Sequence, residues 1–84
     1  MDRALQTILV SRKLAPTRKK AEAIARKFAD RIYTSRKTKE FWRFRQRPPT
    51  CFSGEYKSKA IKDGKIVFVY ATLKPGSRER KQCR

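Results

Sequence analysis

The stretch EYKSKAIKDGKIVFVYATL, residues 55–73, carries the pairing information from which the rest of the chain can be placed. Asp63-Gly64 at its centre supplies the two left-handed positions of a type I′ turn, and both flanks are long enough to be strands. With the turn fixed there, Lys62 faces Lys65, Ile61 faces Ile66, Lys59 faces Phe68 and Lys57 faces Tyr70. The other face of this hairpin carries Tyr56, Ser58 and Ala60 beside Val67, Val69, Ala71 and Leu73. That second set is the more apolar and is expected to turn inward. Phe68 and Tyr70 are then expected on the outer face, among Lys57 and Lys59.

Upstream lies EFWRFRQRPP, residues 40–49. Alternation puts Trp42 and Phe44 on one face, and Phe41, Arg43, Arg45 and Arg47 on the other. A helix would scatter the arginines, so a strand is predicted, ended by Pro48-Pro49, which cannot donate to a ladder. Residues 16–31 read as a helix. Pro16 suits its first turn, and Ala21, Ile24, Ala25, Phe28 and Ile32 make one apolar stripe. Arg18, Lys19, Lys20, Arg26, Lys27 and Arg31 occupy its other faces, with Glu22 four residues before Arg26.

Residues 1–15 fit two patterns. Leu5, Ile8 and Leu9 suit a helical face, whereas Thr7 to Val10 suit a short strand, and a strand or extended arm is the expectation. Ile32-Tyr33-Thr34 has β character, and SRKTK after it reads as a polar turn. Residues 75–84 have little apolar content and are expected to form a basic flexible tail. The predicted fold is α+β: one amphipathic helix packed on a three- to four-stranded antiparallel sheet, in the order α-β-β-β. The domain would span 16–74, with a fourth strand if 31–35 pairs with 40–47.

Charge narrows the function. Lys and Arg number 24 against 7 Asp and Glu, a net charge of +17 on 84 residues. A domain this small buries only about 60–65% of its unfolded surface, so such self-repulsion asks for a polyanion. Nucleic acid, DNA or RNA, is the first candidate and an acidic protein surface the second. No run of residues is apolar enough for a membrane span or a signal peptide, so no membrane partner and a cytoplasmic location are expected.

The expected interface is the outer sheet face: Arg43, Arg45 and Arg47, then Lys57 and Lys59, then Phe68 and Tyr70. Its cations would neutralise phosphates while its rings stack bases. Lys19, Lys20 and Lys27 on the helix, and Arg78, Arg80, Lys81 and Arg84 in the tail, would add affinity. The alternative is that Ile66, Phe68 and Tyr70 are covered by the N-terminal arm or by a second copy, which leaves monomer and homodimer both open.

Catalysis has few actors. There is no His, and Cys51 and Cys83 are too few for a disulfide framework and lie outside any CxxC pattern, so neither metal nor cofactor is expected. Glu55-Tyr56-Lys57 matches the ExK element of metal-dependent nucleases, but it would need Asp30 or Glu40 as a further ligand. The expectation is a binding protein and not an enzyme.

The order ILVSRKLA, TRKKAEAIARKFADRIYTSRKT, FWRFRQRPPTCF, VFVYATLKPG resembles a group of small uncharacterised proteins from phages, prophages and archaeal mobile elements, over residues 7–76. The resemblance implies a viral or mobile-element origin and carries no established activity.

Overall fold

The computed structural model describes residues 3–29 and 32–83. Its elements run β1 (Arg3–Ser11), α1 (Arg18–Arg26), β2 (Thr34–Lys37), β3 (Phe41–Arg45), β4 (Lys57–Ile61) and β5 (Ile66–Thr72), with 3-10 turns at 49–51, 77–79 and 81–83. The fold is α+β, with one helix against an antiparallel sheet ordered β2-β3-β1-β5-β4. Five strands replace the three or four expected, and the chain order begins with a strand. Residues 3–11 are no arm: β1 is the central strand, pairing β3 on one side and β5 on the other.

The hairpin at Asp63-Gly64 forms in the expected register, with Ile61 opposite Ile66, Lys59 opposite Phe68 and Lys57 opposite Tyr70. Asp63 and Gly64 take φ of 56° and 80°, the left-handed pair that this turn demands. The faces, however, are reversed. Ile66 and Phe68 are buried with Ile8, Val10, Trp42, Phe44, Ala21 and Ala25 in the main core, and Tyr70 packs at its border. Phe28, from the end of the helical stripe, sits edge-on to Phe68 with ring centroids 5.1 Å apart. The physical reason is bulk. Both faces of β5 are apolar, and the short helix covers the one bearing the larger rings, where burial removes more surface from water.

Trp42 and Phe44 point into this core as predicted, and the Trp42 indole N–H donates to the Ala15 carbonyl at 2.9 Å. Helix α1 starts at Thr17, whose hydroxyl accepts from the Lys20 amide. It is shorter than expected. Bonds from Lys27 to Ile24 and from Phe28 to Ala25 tighten its last turn, and by Tyr33 the chain is pairing with Arg45. Arg31 and Asp30 lie outside the described residues, as does Arg84.

A second, smaller core corrects the expectation of a flexible tail. Cys51 and Cys83 are fully buried and joined by a disulfide, Cα to Cα 5.6 Å, and pack with Phe52, Ala71, Ala4 and Leu73. Ala71 lies on the sheet face away from the helix, so the segment up to Cys83 folds back over one end of that face. Among the described residues no helix is long and apolar enough to cross a membrane.

Candidate nucleic-acid interface

The strand register sorts the predicted interface residues onto separate surfaces. Thr7 is opposite both Arg45 and Val69, and Leu9 is opposite both Arg43 and Val67. Arg43 and Arg45 therefore share the helix-free face with Leu9, Val67 and Val69. Lys57, Lys59, Phe68 and Tyr70 belong to the helix side. Phe68 is buried and Tyr70 half-buried, so neither offers a free ring face for a base. Lys57 and Lys59 are exposed on edge strand β4, where lysines discourage pairing with another chain. Lys19, Lys20 and Lys27 are exposed on α1, across the sheet from Arg43.

Arg47 also leaves the predicted site. Its guanidinium donates to the Cys83 carbonyl at 3.0 Å and to the Leu5 carbonyl at 2.8 Å, tying the C-terminal segment to β1. These bonds make it a structural clamp.

What the register does gather is a group that sequence reasoning missed. Strand β2, which extends past the possible strand at 31–35 into the expected polar turn, places Arg36 directly opposite Arg43, and Thr34 opposite Arg45. Arg36, Arg43 and Arg45 line one pocket of about 300 Å³ with Thr34 and Ser35. Among the described residues no acidic side chain lines it. Among the described residues, none of these three guanidiniums makes a hydrogen bond or ion pair. Like charges directly opposite on a sheet oppose folding by about 0.2–1 kcal/mol, so an anion seated there would relieve a standing cost. The pattern Thr34-Ser35-Arg36-Lys37, alternating against Trp42 to Arg45, was the available signal.

The helix side of the same edge is basic too. Arg18 donates to the Ser35 hydroxyl, and the Lys37 ammonium lies 5.9 Å from the centre of the Trp42 ring. Towards the sheet centre the helix-free face changes character, to Thr7, Leu9, Val67 and Val69.

The ExK element does not converge with Glu40, and Asp30, its other candidate partner, lies outside the described residues. Glu40 is at the end of the sheet where its carbonyl accepts from the Arg12 amide. Lys57, beside Glu55, aligns through Tyr70 with Leu5 at the other end. Seven residues of β1 separate these ends, roughly 20 Å of strand. Among the described residues no three metal-ligating side chains cluster.

Comparison of the chain with protein families, curated proteins and solved structures finds no match.

Proposed function

We propose that this chain is a small, non-enzymatic nucleic-acid-binding module, of viral or mobile-element origin as its sequence resemblance implies. It grips phosphates through Arg36, Arg43 and Arg45, helped by Arg18 at the β2 edge and by the exposed Lys19 and Lys20 next to it on α1. The observation that carries this reading is the row of three arginines, with no acidic partner among the described residues, on the helix-free face of the sheet. Cations without stacking rings imply contact to the backbone and little sequence preference. Phe68 and Tyr70, taken up by the core, no longer belong to the interface.

If about four phosphates of a duplex are neutralised, affinity falls by roughly a hundredfold between 50 and 200 mM salt. Fluorescence anisotropy of labelled DNA and RNA across that range measures the slope. The double variant Arg43→Ala/Arg45→Ala is expected to lose two of those contacts and to flatten the slope by about 1.8. An unchanged slope would remove the interface from this face.

A second reading, docking on an acidic protein surface, is favoured by Leu9, Val67 and Val69, half-buried aliphatics beside the arginines. Arginine next to apolar surface is common in protein interfaces. This reading expects Val67→Asp to abolish binding to an acidic partner and to leave oligonucleotide binding nearly intact.

A further inference from the structure

We propose that the pocket between β2 and β3 seats the terminal phosphate of a nucleic-acid strand, so that the protein recognises strand ends. This rests on the nucleic-acid reading above and narrows it to a phosphomonoester.

Three features of the pocket point to an end and not to an internal phosphate. The first is charge. Arg36, Arg43 and Arg45 line one cavity of about 300 Å³ with no carboxylate among the described residues, and Arg43 and Arg45 are half-buried. An internal phosphodiester brings one negative charge, whereas a terminal phosphate brings about 1.5 to 2 at pH 7. The second is donor count. Three guanidiniums, joined by the Thr34 hydroxyl on the same face, offer more donors than the two non-bridging oxygens of a diester can accept. A monoester presents three oxygens, and guanidinium forks match them in pairs.

The third feature is what surrounds the pocket. A strand passing through with an internal phosphate would need cations on both sides. Towards the sheet centre the described strand positions of this face are Thr7, Leu9, Val67 and Val69, none of them basic. Basic groups continue the other way, around the β2 edge, to Lys37 and to Arg18 against Ser35. A strand that ends in the pocket and leaves over β2 meets cations throughout. A strand that continues across the sheet does not.

The test uses one 12-nucleotide single strand in three forms: 5′-phosphorylated, 3′-phosphorylated and with hydroxyls at both ends. Anisotropy is read with the full chain at about 150 mM salt, where diffuse attraction is damped. One added charge-assisted contact predicts that at least one phosphorylated form binds about tenfold tighter than the hydroxyl form. That advantage should disappear in Arg43→Ala and in Arg36→Ala, whose exposed side chain makes misfolding no explanation. It should persist in Lys57→Ala. It should also shrink as pH falls below about 6, where the monoester becomes a monoanion. Equal binding of all three forms overturns the terminal seat and leaves the broader nucleic-acid reading standing. Binding of none overturns both.

Discussion

At the scale of single residues, Trp42 joins the core to the chain that leads into the helix. Its ring is buried between the sheet and α1, and its only polar atom reaches the Ala15 carbonyl two residues before the helix cap. Trp42→Phe keeps most of the apolar surface and removes that donor. The Ala15 carbonyl, in a residue with no exposed surface, would then lack this partner. An orphaned buried acceptor costs about 1–3 kcal/mol, and the lost ring volume adds to it. Urea unfolding is therefore expected to show a lower midpoint with an unchanged slope, their product falling by that amount. A variant as stable as the parent would mean that the hydrogen bond is replaced by water at no cost. Because Arg43 and Arg45 are held by backbone pairing to β1 and β2, oligonucleotide affinity should survive wherever the variant remains folded.

At the scale of elements, α1 is nine residues long, too short to be stable by itself, so its cap and its packing decide whether it forms. The Thr17 hydroxyl accepts from the Lys20 amide, a contact worth about 1 kcal/mol. Thr17→Ala should lower the melting temperature by roughly 4–8 °C, measured by circular dichroism, without moving the strands. A larger loss would show that the helix nucleates the whole fold. The elements also show how far the sequence could be read. The β4–β5 register follows from Asp63-Gly64 because the turn residues fix it locally. Which face of β5 is inward does not follow, since Ile66, Phe68 and Tyr70 compete with Val67, Val69 and Ala71, and only the position of a distant helix chooses. Strand β1 imitated a helix for a specific reason. An irregularity between Leu5 and Thr7 inserts Gln6 and shifts the register, so that Leu5 and Ile8, three apart, both reach the same core. The sequence allows a fourth strand over 31–35, but β2 runs on to Lys37, because polar residues at an edge show no apolar alternation to mark where pairing stops. The arginine pocket was hidden with it.

At the scale of the whole molecule, +17 charges on 84 residues work against compactness, and the Cys51–Cys83 bridge ties the C-terminal segment covalently to the folded body. It closes a loop across a sequence separation of 32 residues, which in the chain-entropy account stabilises the fold by roughly 3–4 kcal/mol. Both sulfurs sit in residues without exposed surface, so a reductant must wait for the small core of Phe52, Ala71 and Leu73 to open. Cys83→Ser should thus lower the melting temperature by roughly 10–20 °C, with native protein resisting alkylation until denaturant is added alongside reductant. Such bridges persist in oxidising compartments and are opened in most cytosols, which makes the comparison of bridged and reduced protein relevant to where the chain works. For the proposed binding surface the expectation is sharp. The bridge, with Arg47 holding Cys83, secures the end of the sheet near Ala4 and Ala71. The arginine pocket is instead set by β2 and β3, whose pairing includes no residue of that cluster. Oligonucleotide affinity of the reduced or Cys83→Ser protein, measured well below its melting temperature, should stay within about twofold of the parent, a difference of roughly 0.4 kcal/mol. A loss of tenfold or more would place the C-terminal segment in the interface, and the arginine pocket alone would no longer account for binding.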